Sequence, residues 1–137
     1  MEHHLTTYIT HDTLISALGF GTQENLEAIR SYHSGITLQT DKRIADTPLL
    51  AATLSQERLQ QQAEAIGVSG YPRMEQLFIL TINELIRQSG QTLEDKTCGL
   101  ILSTTKGNID LLARHTEHPD EAVFLWKMAE NIAGYFH

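Results

Sequence analysis

The sequence is poor in three residue types, and each scarcity excludes a class of protein. Its 137 residues include one cysteine, Cys98, so no disulfide can form within the chain. No basic segment precedes an apolar run near the first residue, so we expect a reducing, cytoplasmic location. Three prolines and nine glycines are too few for a collagen-like chain or a flexible linker.

Positive charge and long apolar runs are also scarce. Ten Lys and Arg residues face seventeen Asp and Glu residues, which gives a net charge of −7. With no basic half to neutralise phosphates, we expect no nucleic-acid partner. The longest apolar runs, such as Leu77 to Leu80 and Gly99 to Leu102, are far shorter than the roughly 20 residues of a membrane-spanning helix. We therefore expect no membrane partner.

The length and composition of residues 1–137 fit one globular domain or one half of a larger fold. Hydrophobic residues make up 41% and charged residues 20% of the chain. This length and composition are sufficient to bury a hydrophobic core.

The first half of the chain alternates between strand and helix signals. Strands are predicted where β-branched and apolar residues cluster, and helices between capping residues and glycine stops. The predicted elements are a strand from Leu5 to Ile15, a helix from Thr22 to a stop at Ser34-Gly35, strands Ile36 to Thr40 and Pro48 to Leu54, and a helix from Ser55 to Gly67.

The second half predicts a wide apolar helix followed by a buried strand. Pro72 opens the helix, whose apolar face reaches Ile86 before Ser89-Gly90 ends it. The continuous apolar run from Thr97 to Thr104 is typical of a central strand covered on both faces. Gly107 ends that strand, one helix starts at Ile109, and a last helix runs from Pro119 to Phe136. Alternating strands and helices predict an α/β fold.

The thiol and the histidines are the first candidates for chemistry. Cys98 lies at the start of the predicted buried strand, where packing is a more common role than catalysis, so we expect it to be poorly accessible. Among seven histidines, only His115 and His118 are spaced by three residues, near acidic side chains. A metal site there is one interpretation. A solvated loop is favoured, because no further strong ligand follows a known spacing.

The loop that follows the predicted buried strand is the best local candidate for ligand binding. It runs from Ser103 to Asn108, and its candidate binding residues are Thr104, Thr105, Lys106 and Gly107. Loops at the carboxyl ends of strands are where α/β sheets bind ligands. It lacks the spacing of a phosphate-binding loop. We therefore give equal weight to two interpretations of the loop: that it contacts a ligand, and that it only connects two elements.

The order of five motifs resembles the N-terminal portion of a β-ketoacyl synthase, a condensing enzyme of the thiolase-like superfamily. The motifs follow with their family counterparts. They are Ser16–Gly19 ("SPLG", with Ala17 for proline), Ser34–Ile36 ("KSGI", with His33 for lysine), Tyr71–Gln76 continuing to Gly90 ("MDRFTQ…EAL.DAG"), Gly99–Gly107 ("GVIIGTGIGG") and Met128–Gly134 ("A..IA").

The resemblance implies a thiolase-like N-terminal half-domain, with a partial αβα layered sheet. It also implies an acyltransferase that performs decarboxylative condensation in fatty acid or polyketide biosynthesis, with no cofactor and acyl carrier protein as a partner. Such chemistry uses a Cys-His-His set. The family's nucleophile lies beyond the segment that matches His137, so we expect no catalytic residue within this chain, and Cys98 does not match it.

Two substitutions alter the loop relative to the family. Lys106 stands where the family often has an apolar residue lining the acyl pocket, and Ser103 replaces a glycine. Because a charge facing an acyl tail is costly unless paired or hydrated, either Lys106 faces water or no ordinary acyl chain binds here.

Three hypotheses follow. The chain is the N-terminal part of a β-ketoacyl synthase, or a non-catalytic synthase-like subunit that binds acyl carrier protein or a full-length synthase, or a separate α/β binding domain. Either of the first two predicts a homo-oligomer or a complementary synthase subunit, assembled through the faces around Thr97 to Thr104 and the Met74 to Ile86 helix.

Overall fold

The computed structural model describes residues 6–93, 98–114 and 120–137. Within these residues the chain is a small mixed α/β domain, as the sequence predicts at that level. Its strands form two separate antiparallel pairs. The elements are β1 (Ile15–Ser16), β2 (Gly19–Phe20), α1 (Thr22–Arg30), β3 (Ile36–Gln39), β4 (Leu49–Ala52), α2 (Gln56–Ala65), α3 (Arg73–Ser89), 3₁₀ helices Ile109–Arg114 and Glu121–Val123, and α4 (Leu125–Tyr135).

A buried asparagine organises the turn that connects β1, β2 and α1. Asn25 lies on α1 and is 1% exposed. Its amide nitrogen donates to the carbonyl oxygens of Leu14, Gly19 and Gly21, at 3.2, 3.1 and 2.8 Å. Its side-chain oxygen accepts from the Ser16 hydroxyl. Three backbone carbonyls of the turn thus converge on one buried side-chain amide, which ties the turn to α1.

The end of α1 corrects the predicted stop at Ser34-Gly35. The helix ends at Arg30, and Tyr32 adopts φ 56°, the left-handed conformation that usually selects glycine. The Tyr32 and His33 amides donate to the carbonyls of Ile29 and Ala28, at 3.0 and 2.8 Å. These two bonds form a Schellman motif with tyrosine in the glycine position. Tyr32 is 98% exposed rather than part of the helix face.

The predicted strands after α1 are confirmed as a hairpin. Strands β3 and β4 pair antiparallel, with Ile36 opposite Ala52 and Gln39 opposite Leu49. The hairpin buries little, since Leu38 is 62% and Leu50 is 71% exposed.

Both central helices agree closely with the sequence prediction. The Ser55 hydroxyl caps α2 by accepting from the Arg58 amide at 3.2 Å. Pro72 precedes the first residue of α3, and Gly90 ends α3 with φ 66°. An ion pair between Arg58 and Glu24, at 2.5 Å, joins α2 to α1.

The hydrophobic core lies between α2, α3 and α4. Its fully buried members come from all three helices and the turn after α2. They are Ala63, Val68, Ile79, Met128 and Ile132, with Ile82 at 8% exposure. The sequence predicts a wide apolar face on α3. In the structure one stripe of that face is buried, and the residues on either side of it are half-buried.

Two predicted strands are wrong. Residues 6–14 form no strand, and of the first predicted strand only its last residue, Ile15, pairs, in a strand that continues to Ser16. Residues 98–104 also form no strand, and Ile101 is 94% exposed. Strand structure requires a neighbouring strand for its backbone, and none of the described elements supplies one. The apolar run is therefore unpaired within the described part of the chain.

The last predicted helices are shorter than expected. Residues Ile109–Arg114 form a 3₁₀ helix, and the helix predicted to end at Phe136 is divided in two. Phe124 adopts an extended conformation between Glu121–Val123 and α4 and interrupts the helix. Pro119, the predicted start, lies outside the described residues. Among the helices that the structure describes, none combines the length and apolar character needed to cross a membrane.

Candidate functional site

The candidate loop is a compact turn held by its own threonine. The Thr104 hydroxyl accepts from the backbone amides of Lys106 and Gly107, at 3.2 and 3.0 Å. Gly107 then adopts φ 55°, which allows the chain to reverse into the 3₁₀ helix that begins at Ile109. The loop conformation is thus specified by Thr104 and Gly107, two of the four predicted site residues.

Gly107 is also where the loop contacts α4. A Cβ atom at this position would lie 2.6 Å from Cδ2 of Leu125. That Cδ2 atom is the end of a flexible side chain and can shift, so glycine is favoured here mainly by its φ of 55°, which other residues rarely adopt. Gly107 is buried in the structure.

A buried polar cluster anchors the loop from behind. Asn108, which is 0% exposed, donates from its amide nitrogen to Oε1 of Glu75 and to the Ala122 carbonyl, both at 2.8 Å. Asn131 of α4 donates to both Glu75 carboxylate oxygens at 3.3 Å. Glu75 is itself 0% exposed on α3. The cluster therefore connects α3, the loop and α4 through one carboxyl group.

The environment of Glu75 favours its neutral form. Burial raises the pKa of the Glu75 carboxyl above its usual range, and this effect outweighs the hydrogen bonds from Asn108 and Asn131, which lower the pKa. The charge of Asp120 raises the pKa further, whereas Lys127 lowers it.

An apolar groove runs beside the loop. One wall is segment 98–104, which contributes Leu100, Leu102, Ser103 and Thr104, and the other is α4. The α4 residues that line the groove are Leu125, Met128, Ala129 and Ala133. The groove has a volume of about 440 Å³. Its lining is dominated by aliphatic side chains, so it suits an apolar ligand or an apolar segment of another protein.

The structure separates the four predicted site residues. Thr104 lines the groove, and Gly107 packs against α4. Thr105 and Lys106 are exposed and do not line the groove. Of the two alternatives for Lys106, the exposed position in water is the one observed.

The prediction that Cys98 is poorly accessible is wrong. The thiol is exposed, because the segment that was expected to bury it has no strand neighbours among the described residues. His115, His118 and Glu117 lie outside the described residues. Within the described ranges, no group of three His, Cys, Asp or Glu side chains is arranged to hold a metal ion.

A second cavity lies away from the loop. Its volume is about 350 Å³, and Phe20, Ile66, Leu80, Glu84 and Arg87 are among its lining residues. Arg87 and Glu84 form an ion pair at 2.6 Å, and this contact lowers the pKa of Glu84 to about 2. With its two charges already paired, this cavity presents no free ionic group from that pair to a ligand.

The sequence places Asn108 at the end of the candidate loop but does not predict its burial, and it does not identify Glu75 or Asn131 as part of the site. One signal was present, since Glu75, Ile79 and Ile82 share the spacing of a single helix face. A carboxyl group on an otherwise apolar face requires buried partners, but the sequence does not indicate which residues supply them.

Searches of protein-family models, curated proteins and solved structures found no match to this chain. The β-ketoacyl synthase resemblance therefore depends on the order of the five motifs.

Proposed function

We propose that this chain is the N-terminal part of a β-ketoacyl synthase, or of a related condensing-enzyme subunit, with a thiolase-like layered fold in the complete assembly. Its contribution is a binding surface for another part of the synthase. The Cys-His-His chemistry of fatty acid or polyketide condensation belongs to residues other than those of the candidate loop.

The exposed apolar segment 98–104 is the observation that carries this proposal. No backbone hydrogen bond joins it to another described segment. From Ile101 to Thr104 the exposure alternates: Leu102 and Thr104 are half-buried beside the groove, whereas Ile101 and Ser103 are exposed. This alternation is typical of a β-strand that is covered on one face only.

The chemistry of the segment indicates what would cover it. Its amides and carbonyls have no backbone partners in the part of the chain that the structure describes, and no charged residue occurs between Cys98 and Thr105. An extended, apolar partner segment satisfies both the backbone and the side chains. A neighbouring strand of a synthase subunit is such a partner, and the motif from Gly99 to Gly107 is one of the five that resemble the family.

The second candidate function is that of a non-catalytic subunit that binds acyl carrier protein or a full-length synthase in the cytoplasm. The open groove beside Thr104 and the exposed Lys106 favour this alternative, because they provide an apolar surface with a cation at its margin. Such a surface binds a protein better than it encloses an acyl chain.

The coding sequence that follows the His137 codon distinguishes the two. A cysteine motif of the "ACSS" type followed by two histidines in the same reading frame would support the synthase. An in-frame stop directly after His137, together with saturable binding of acyl carrier protein in titration calorimetry, would support the non-catalytic subunit.

An activity measurement tests both candidates. We expect the purified 137-residue chain not to extend an acyl thioester with malonyl thioester. Extension that is abolished by Cys98→Ala would contradict both candidates, because it would make Cys98 a nucleophile.

A further inference from the structure

The most unusual group in the molecule is a carboxyl with no access to water. Glu75 is 0% exposed, and its hydrogen-bond partners are two asparagine amides. No cation contacts it directly among the described residues, because Lys127 pairs with Glu130 at 2.7 Å. A buried carboxylate without a cation is costly, and proteins commonly resolve that cost by keeping the proton.

A second, independent observation involves Asn108. Its side-chain oxygen Oδ1 is buried and has no hydrogen-bond partner among the described residues, although its amide nitrogen donates to both Glu75 and Ala122. A buried acceptor without a donor is rare in proteins. A carboxylic acid beside it carries the missing donor, because its O–H can donate to an amide oxygen while its other oxygen accepts.

We propose that Glu75 keeps its proton in the folded chain at mildly acidic pH, where exposed carboxyl groups have ionised, and donates it to Oδ1 of Asn108. Between the two groups, the acid and the amide then each donate one hydrogen bond to the other and accept one from it. The single proton joins α3 to the residue that follows the candidate loop, and Asn131 extends the connection to α4.

This arrangement makes the groove sensitive to pH. Both walls of the groove are attached to the Glu75 cluster. Asn108 follows the loop at the end of one wall, and Asn131 belongs to α4, which forms the other wall with Leu125 and Met128. Loss of the proton leaves a buried negative charge and returns Oδ1 of Asn108 to its unpartnered state. We therefore infer that acid strengthens the attachment of the loop to α4, and that base weakens it.

The charged and titratable groups around Glu75 set the direction of this response. Asp120, before the second 3₁₀ helix, disfavours ionisation of Glu75, and Lys127 of α4 favours it. Tyr71 lines a cavity with Glu75 and Asn131, and its own side chain is half-buried. The inference is independent of the proposed function, because it concerns only groups within the described fold.

Carboxyl-carbon NMR on the intact chain labelled at its glutamates tests the proposal directly. Glu75→Gln identifies the Glu75 resonance, and Glu57→Gln identifies that of an exposed glutamate as the reference. We expect the Glu75 resonance to titrate at a higher pH than Glu57, and the side-chain amide of Asn108 to shift with the same midpoint. The Asn25 amide, in a separate buried network, should not follow that midpoint. A Glu75 midpoint at or below that of Glu57 would overturn the proposal, as would an Asn108 amide that does not respond.

The stability of the Glu75→Gln variant gives a second test. Glutamine keeps the shape and the donor of the neutral acid but cannot ionise. Because the pKa of Glu75 is higher in the folded state than in the unfolded state, the protonated carboxyl stabilises the fold below the unfolded-state pKa. That stabilisation is lost as the pH rises from the unfolded-state pKa to the folded-state pKa. Between these two values, the folding constant of the wild type should fall relative to that of Glu75→Gln by up to tenfold per pH unit. Glu57→Gln should show no such divergence. Parallel pH profiles for the wild type and Glu75→Gln would contradict the proposal.

Discussion

Gly107 and Gly134 predict opposite responses to the same substitution. Gly107 has φ 55° and a Cβ there would crowd the Leu125 side chain, whereas Gly134 lies in α4 with nothing within 4 Å of the added atom. Gly107→Ala should lower the free energy of unfolding by about 1–3 kcal/mol through backbone strain and crowding. Gly134→Ala should raise it by about 0.5–1 kcal/mol, because alanine favours the helix. Urea unfolding measures both, and a neutral Gly107→Ala would contradict the loop geometry.

Cys98 gives a second prediction at the scale of single residues. Since its thiol is exposed, a thiol reagent should label the native chain at a rate close to that of the unfolded chain. Cys98→Ser provides the blank. Strong protection of the thiol at low protein concentration would contradict the exposed position and restore the buried strand that the sequence predicts.

At the scale of elements, the contact between α3 and α4 holds the second half of the fold. Ile132 of α4 is 0% exposed against Ile79 of α3, whereas Ile101 is 94% exposed in segment 98–104. Ile132→Ala should destabilise the chain by about 2–5 kcal/mol, because it removes packed atoms and leaves a cavity. Ile101→Ala, the same chemical change, should alter stability by less than about 0.5 kcal/mol. Equal effects of the two substitutions on the urea midpoint would show that the core is assigned wrongly.

The elements also differ in how well the sequence predicts them. Helices α2 and α3 are specified by nearby residues, with Ser55 and Pro72 at their starts and Gly90 at the end of α3. The predicted end of α1 was wrong because Tyr32, not a glycine, adopts the left-handed conformation that ends the helix. Such a use of tyrosine cannot be seen in a pattern that assigns left-handed positions to glycine.

At the scale of the whole molecule, the unpaired segment 98–104 predicts association. An exposed segment with apolar side chains and a backbone that lacks strand partners tends to pair with another chain. Residues 98–104 carry no charge, so two copies of this segment do not repel each other. We expect the average mass in sedimentation equilibrium to increase with protein concentration. Ile101→Lys should abolish this increase, because it places a charge in the segment that would pair between two copies.

A matched substitution keeps that test specific. Ile29→Lys adds the same charge on α1, where Ile29 is 57% exposed, and should leave association unchanged. A wild-type chain that stays monomeric at high concentration and binds no hydrophobic dye would refute the association.

The sequence predicts only part of the candidate site, and the rest depends on the tertiary structure. The loop from Thr104 to Gly107 could be identified from its position after an apolar run and from its glycine. The groove and the cluster of Glu75, Asn108 and Asn131 could not, because these three side chains are separated by up to 56 residues in the chain. Only packing of α3 against α4 brings them within hydrogen-bonding distance.

The sequence by itself determined the central helices, the β3–β4 hairpin and the mixture of helices and strands, because caps, turns and periodicity act between residues close in the chain. The tertiary structure decided which apolar residues are buried. A continuous apolar run such as 98–104 has the composition of a central strand, but strand structure depends on a partner backbone that composition cannot supply. The described fold provides α4 on one face and no neighbouring strand, so the segment stays exposed and becomes the surface through which we expect this chain to bind another.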